Sequence, residues 1–218
     1  MLLYCDEISS MTDEQFDLFF DLMPTARQKK VMRYAKTDDK KLGVAAFALL
    51  CYALNLCGYK IGDYELSTTE NGKPYFKNLP LNFNISHTGN AVACAVSKTE
   101  IGVDIQKKNV EYSRVMHRIC CENEIDLISA SENPIDDFVK LWTLKESHVK
   151  CIGARVFDNA DKYDFSSVVK SGCGKLYGYD FSVFDVGESI VGVCSSASVE
   201  QINNISLAEL ETFCKNKG

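Results

Sequence analysis

Along the chain, apolar residues spaced for helices give way to apolar residues alternating as in strands, and this order occurs twice. Leu2 to Tyr4 predicts a short first strand. Thr12-x-x-Gln15 then reads as a capping box ahead of Phe16, Phe19, Phe20 and Met23, which predict a helix with one apolar face that Pro24 ends. Thr25-x-x-Gln28 repeats the signature and opens a second helix. Leu42 to Tyr59 is an uncharged run of eighteen residues, near the lower limit for crossing a bilayer core of about 30 Å. Its Ala and Gly content, Asn55, the candidate N-caps Thr37, Asp38 and Asp39 and the candidate C-cap Gly58 favour a helix buried in a protein core, since no second span is there to partner it.

Gly72 and Pro74 mark a loop, and strand patterns follow at Asn82 to His87, Ala91 to Ser97 and Ile101 to Ile105. Thr88-Gly89-Asn90 and Lys98-Thr99-Glu100 read as the tight turns between them. Strand alternation puts Ile101, Val103 and Ile105 on one face and Gly102, Asp104 and Gln106 on the other. Helical patterns return from Ser113 to Ala130 and from Asn133 to Ile152, the second with Asn133 as a cap, Pro134 at the first helical position and Gly153 closing the end. Strand-like stretches at Gly178 to Phe184 and Ser189 to Cys194 complete the order. The expectation is an α/β chain of two similar halves, residues 1–105 and 106–218, resting on element order without a sequence repeat.

Composition narrows the function. With 46% hydrophobic and 25% charged residues in 218, the chain has the make-up of a globular protein, which excludes disorder. The net charge of −6 argues against nucleic-acid binding and requires that any phosphate site be local. Such a locality exists between Thr25 and Lys41, where Arg27, Lys29, Lys30, Arg33, Lys36, Lys40 and Lys41 face two acids, Asp38 and Asp39. The ten cysteines are scattered, form no C-x-x-C pair and have three histidines beside them at no zinc-ligand spacing, so free thiols in a reducing compartment are expected. Met1 to Glu7 carries acids where a signal peptide needs bases, and the protein is expected in the cytoplasm, away from membranes.

Three groups of residues are candidates for chemistry. Trp142, Glu146 and Lys150 recur every four residues and share one helix face. A Glu and Lys so placed are, taken alone, an ordinary helix-stabilising pair. Asp104 ends an apolar strand, where a carboxylate needs a cation, a donor or a metal unless it caps the next turn. Ser86-His87 sits at another strand end, before a Gly turn. Transfer of a phosphate ester needs cations for the phosphates, oxygen ligands for Mg²⁺ and a base for the incoming hydroxyl, and these groups supply each. Asp104 and Glu146 offer two carboxylates, the usual number at a Mg²⁺ site completed by water and substrate phosphate.

The sequence resembles the Sfp-type 4′-phosphopantetheinyl transferases. The matching pieces are Gly72-Lys73-Pro74, Phe83-Asn84-Ile85-Ser86-His87-Thr88-Gly89, Ile101-Gly102-Val103-Asp104-Ile105 and Trp142-Thr143-Leu144-Lys145-Glu146-Ser147-His148-Val149-Lys150, in the family's order and near its spacings. The resemblance implies an α/β (α+β) fold of two pseudo-twofold-related halves, each an antiparallel-rich sheet packed with helices, with coenzyme A in the cleft between them. It implies Asp104 and Glu146 as magnesium ligands, Lys150 as the cation facing the pyrophosphate, and catalytic roles for all three. It places Lys73, Ser86 and His87 at the nucleotide end and Arg27 and Lys30 on its 3′-phosphate, with Lys41 or its neighbour Lys40 as a further basic contact. Gln106 departs from the bacterial pattern, which often has glutamate there. An amide oxygen still ligates Mg²⁺, with one negative charge fewer, or a water takes its place.

The expected activity is transfer of the 4′-phosphopantetheine arm of coenzyme A to a serine of an apo acyl or peptidyl carrier protein by a monomer, releasing adenosine 3′,5′-bisphosphate, with Glu146 as base directly or through water. The alternative is a non-catalytic protein of the same fold that binds coenzyme A or a carrier. The intact Asp104, Glu146 and Lys150 count against it. A different magnesium phosphotransferase is disfavoured by the absence of G-x-x-x-x-G-K-[ST]. The stretch after Gly153, with Arg155, Lys162 and Lys170, is expected to meet the acidic carrier.

Overall fold

A computed structural model describes residues 1–109, 111–154 and 160–216. After strand β1 (Leu2–Cys5), Thr12 caps helix α1 (Asp13–Phe20). Its hydroxyl accepts from the Gln15 amide and the Gln15 side chain accepts from the Thr12 amide, both at 3.1 Å, so the capping box forms as its sequence dictates. The second signature does not. Helix α2 (Thr25–Met32) begins after Pro24 with no side-chain cap, and Gln28 donates instead to the Phe20 carbonyl at 3.1 Å, tying α2 back to α1. Helix α3 (Thr37–Leu56) has Lys36 at its N-cap, so Thr37 to Asp39 are inside its first turn, where the two acids meet the positive end of the helix dipole. Every residue from Leu42 to Cys51 is buried, and Gly58 lies just past the C-cap with φ +87°, in the left-handed conformation that ends helices. The run is therefore core from Leu42 to Leu54 and exposed from Asn55 to Gly58, and no helix among the described residues is long and apolar enough to cross a membrane.

A hairpin of two three-residue strands, β2 (Leu66–Thr68) and β3 (Pro74–Phe76), precedes β4 (Asn82–Thr88), β5 (Ala91–Ser97) and β6 (Ile101–Lys107). The helical pattern predicted over Ser113 to Ala130 is two helices, α4 (Ser113–Ile119) and α5 (Glu122–Ser129), because Cys120 and Cys121 are extended and Cys121 becomes the cap of the second. Helix α6 (Pro134–Ile152) runs as expected from Pro134 to the left-handed Gly153, although the Asn133 side chain makes no cap bond. Then come α7 (Ser166–Ser171), β7 (Cys173–Leu176), β8 (Tyr179–Val186), β9 (Ser189–Ser195), β10 (Asn203–Asn204) and α8 (Leu207–Lys215).

The strands form two four-stranded sheets, ordered β10-β1-β5-β4 and β6-β9-β8-β7, antiparallel except for the β1–β10 pair. Their inner parts share one topology. In each, the first strand pairs with the last and the last with the penultimate (β1-β5-β4 and β6-β9-β8), and the longest helix lies between the first strand and the hairpin that follows. The pseudo-twofold arrangement is the expected one, but its bounds differ from 1–105 and 106–218: β6 belongs wholly to the second sheet, while β10 joins the sheet of the first half and α8 packs into its core. Alternation divides the core accordingly. Val92, Cys94 and Val96 of β5 pack into the cluster containing α3, whereas Ala91, Ala93 and Ala95 join Ile101, Val103 and Ile105 of β6 in a layer of their own.

The opposite face of β6 meets α6 at unusually short range. A Cβ on Gly102 would stand 2.1 Å from the Ser147 carbonyl oxygen and 2.4 Å from the Cys151 amide nitrogen, and one on Gly192 of β9 would stand 2.6 Å from the Thr143 backbone. Glycine at both positions thus lets the helix lie on strand backbone. The contacts recur at Thr143, Ser147 and Cys151, so the face one residue earlier in the helix, Trp142, Glu146 and Lys150, is turned along the edge of the sheet toward β4. Packing has set the direction of the candidate residues.

Candidate active site

Strand β4, strand β6 and helix α6 enclose a cavity of about 320 Å³ lined by Ser86, His87, Asp104, Gln106, Trp142, Glu146 and Lys150. Residues separated by up to 64 positions are brought together by the β4–β6 contact, which a buried bond from the Val103 amide to Asn84 Oδ1 (2.9 Å) holds in register. Asp104 is nearly inaccessible, with 6% of its surface exposed, and its Oδ1 accepts from Ser86 Oγ at 2.7 Å and from Lys150 Nζ at 2.5 Å. Lys150 Nζ also reaches Ser86 Oγ at 3.0 Å, closing a three-membered ring of polar contacts. The strand alternation read from the sequence had placed Asp104 on this face; its partners were not legible there.

Glu146 receives no hydrogen bond or ion pair from a described residue. Burial pushes its carboxyl up to about 7, the nearby charge of Asp104 adds to this, and Lys150 opposes it. A carboxyl in this range exchanges a proton at neutral pH, which suits a general base. Burial also lowers His87, with Lys150 the next largest cause. Gln106 lies beside them, its Oε1 accepting from Thr88 Oγ1 at 3.2 Å.

The remaining candidates are distributed unevenly. Arg27 and Lys30 line a second cavity, of about 650 Å³, with Tyr64, Ser67, Gly72 and Pro74 on the β2–β3 side. The Arg27 guanidinium stacks over the Phe47 ring at 5.2 Å, its buried Nε has no partner among the described residues, and burial lowers its pKa. A desolvated cation with an unmet donor is a receptor for an anion. Gly72 and Pro74 wall this cavity, but the Lys73 side chain turns away and donates to the Cys151 carbonyl at 2.7 Å. Lys41 does not join Arg27 and Lys30: its Nζ donates to the Met11 carbonyl at 2.6 Å. Lys162 and Lys170 lie in a short turn and in α7, and Arg155 lies outside the described residues.

Among the described residues, one cluster of metal-ligating types lies elsewhere, at Cys121, Glu124 and Asp164. Its central carboxylate is already satisfied. Glu124 accepts from the Cys121 and Phe165 amides and pairs with the buried Lys145 at 2.8 Å, so a further cation there would meet the Lys145 charge. In the cavity of Asp104 and Glu146, by contrast, Lys150 pairs with Asp104 alone, and Glu146, with no hydrogen bond or ion pair from a described residue, is a carboxylate that a cation would neutralise. Thr88, Asn84, Asn71 and Gly102, which orient these groups, were not singled out in the sequence. Asn84, Thr88 and Gly102 stand within the pieces that match the family, and Gly102 carried a further signal as a glycine in the interior of an apolar strand.

Two family profiles match the chain in succession. Residues 10–99 match one described as 4′-phosphopantetheinyl transferase, N-terminal, and residues 100–184 match one described as the 4′-phosphopantetheinyl transferase superfamily. Similar curated proteins include the 4′-phosphopantetheinyl transferase gsp of Aneurinibacillus migulanus, 30% identical over 134 residues, covering 60% of this chain and 56% of its own. The 4′-phosphopantetheinyl transferase Sfp of Bacillus subtilis (strain 168) is 29% identical over 145 residues, 64% of each chain. The L-aminoadipate-semialdehyde dehydrogenase-phosphopantetheinyl transferase of Xenopus laevis is 35% identical over 130 residues, 51% of this chain and 43% of its own. The match thus spans less than two thirds of the length of these relatives.

Proposed function

Because the chain belongs to the 4′-phosphopantetheinyl transferase superfamily, we propose that it transfers the 4′-phosphopantetheine arm of coenzyme A to a serine of an apo carrier protein. The observation that carries this reading is the meeting, in one cavity, of a carboxyl poised near neutral pH, Glu146, with the Lys150–Asp104 pair. The serine Oγ attacks the phosphorus that bears pantetheine. One P–O bond forms, the bond from that phosphorus to the bridging oxygen breaks, the electron pair leaves with adenosine 3′,5′-bisphosphate, and the hydroxyl proton passes to Glu146 directly or through a water. Lys150 neutralises charge growing on the pyrophosphate oxygens. Asp104, Glu146 and the amide oxygen of Gln106 would hold Mg²⁺, which when bound supplies charge stabilisation to the phosphates.

The cavity of Arg27 and Lys30 takes the nucleotide end in this reading, with Ser86 and His87 between it and the carboxylates. His87 feels the charges of both Lys150 and Arg27, as expected of a residue between the two cavities. Lys41 belongs to the same basic stretch and strengthens the local positive field through which an anionic ligand approaches. The carrier, acidic around its serine, docks near Lys162 and Lys170. The test is incubation with coenzyme A, Mg²⁺ and several apo carriers, followed by mass spectrometry of the carrier. Gain of one phosphopantetheine arm is expected; no gain on any carrier type would sink the reading.

A further inference from the structure

The C-terminal turn of α6 carries Lys150, and like any helix end it leaves its last carbonyls without intrahelical partners. Two of them are taken by one hairpin from the other half of the chain. Lys73 Nζ donates to the Cys151 carbonyl at 2.7 Å, and Asn71 Nδ2 donates to the Gly153 carbonyl at 3.0 Å. Both donors sit in the turn joining β2 to β3, which is itself closed by Thr69: its Oγ1 accepts from the Lys73 amide at 3.1 Å and its carbonyl from the Gly72 amide at 2.9 Å. The same turn supplies Gly72 and Pro74 to the wall of the cation-lined cavity.

From this arrangement we infer that Lys73 is a positioning residue: its ammonium caps the last turn of α6 and so holds Lys150 on Asp104, and the hairpin ties the nucleotide cavity mechanically to the catalytic helix. The inference rests on the proposed activity for its kinetic consequence, while the clamp itself is a structural statement. Two features make the clamp effective. A cation at a helix C-terminus meets the negative end of the dipole, and burial of this one, which lowers its pKa, strengthens the contact by removing competing water. The turn it grips has no slack on its other side, since the Cys151 amide already lies against Gly102 at a distance that excludes a methyl group. With strand backbone on one face and the hairpin on the other, the turn is held on two sides, and Lys150 is the residue immediately before the gripped carbonyl.

A phosphate-binding role for the Lys73 side chain predicts something different, which makes the two separable. Removing a phosphate contact raises the KM for coenzyme A, whereas removing a clamp behind Lys150 lowers kcat. In Lys73→Met the clamp predicts a fall in kcat of about tenfold, the order expected for one charge-assisted hydrogen bond, with KM for coenzyme A within about twofold. Lys73→Arg, which keeps a donor cation, should recover most of the rate. Asn71→Ala should move kcat in the same direction by a smaller factor and serves if Lys73→Met folds poorly. Independently of activity, hydrogen–deuterium exchange of a peptide spanning residues 147–153 should be faster in Lys73→Met than in the wild type and unchanged in Lys73→Arg. A raised KM with unaltered kcat, or exchange at the helix end indifferent to Lys73→Met, would overturn the clamp. If the wild type modifies no carrier, the functional proposal fails, and the exchange measurement still decides whether Lys73 holds the helix end.

Discussion

Lys150 Nζ stands 2.5 Å from Oδ1 of Asp104, with Ser86 Oγ within hydrogen-bond reach of both. The ammonium is thereby held at the mouth of a cavity whose other carboxylate, Glu146, has no described partner. One positive and two negative groups are thus gathered around one cavity. Each element of this arrangement is testable.

Asp104→Ala and Glu146→Ala are each expected to abolish transfer while leaving the fold intact. Lys150→Met should lower kcat/KM by about 10²- to 10³-fold, the usual cost of deleting a preorganised group that meets transition-state charge. Steady-state assays with a carrier substrate, accompanied by circular dichroism, check this. Comparable activity in either carboxylate variant would show that the reacting groups lie elsewhere.

Glu146 also sets a pH dependence. If the ionised carboxylate is the base, activity should rise with pH, with an apparent pKa below the value of about 7 to which burial pushes the metal-free carboxyl, because the Mg²⁺ that Glu146 would hold favours the charged form. Stability should move the other way. The folded-state pKa lies above the ordinary carboxyl value of 4.5, so between pH 4.5 and 7 the unfolded chain has lost a proton that the folded chain keeps, and stability falls as pH rises across that window. Glu146→Gln removes this slope. Relative to the wild type it should gain on the order of 1 to 2 kcal/mol at pH 8 over its difference at pH 4, discounted for the partial exposure of the group. Chemical denaturation at the two pH values measures it, and equal differences would contradict the assigned shift.

Gln106→Glu adds a negative charge beside Asp104 and Glu146. If the amide oxygen is a magnesium ligand, the variant should reach half-maximal activity at lower Mg²⁺ and bind the ion more tightly by calorimetry. An unchanged titration would leave Gln106 to its bond with Thr88 and put a water in its place.

The buried pair Lys145–Glu124 should matter to stability and not to chemistry. The two side chains are 3% and 0% exposed and 2.8 Å apart, and Lys145 also donates to the Ala160 and Tyr163 carbonyls. Glu124→Gln leaves the lysine charge uncompensated and should cost about 3 to 5 kcal/mol. Urea denaturation gives the value. A loss under 1 kcal/mol would mean that solvent reaches the pair.

Where periodicity alone decides structure, the chain was legible. The capping box at Thr12, the long apolar helix, strands β4, β5 and β6 and the run from Pro134 to Gly153 appear where the spacing of apolar residues puts them. Short elements escaped, because three residues of β2 or β3 are too few to establish an alternation. Thr25 carried a capping signature and did not cap, since Pro24 in the extended conformation already occupies that position.

The candidate site divides along the same line. Local chemistry offered Asp104, Glu146 and Lys150 only as candidates, a carboxylate on an apolar strand and an acid and a base one helical turn apart, and the family resemblance gave them their roles. That these three share a cavity, that burial pushes the Glu146 carboxyl up to about 7, that Lys41 leaves Arg27 and Lys30 for the Met11 carbonyl, and that Lys73 reaches the end of α6 were decided by tertiary structure. The reason is physical. Periodicity determines which face of an element a residue occupies, whereas burial, charge and hydrogen-bond partners depend on what packs against that face, and here the packing is governed by two glycines, Gly102 and Gly192, that let one helix lie on bare strand backbone.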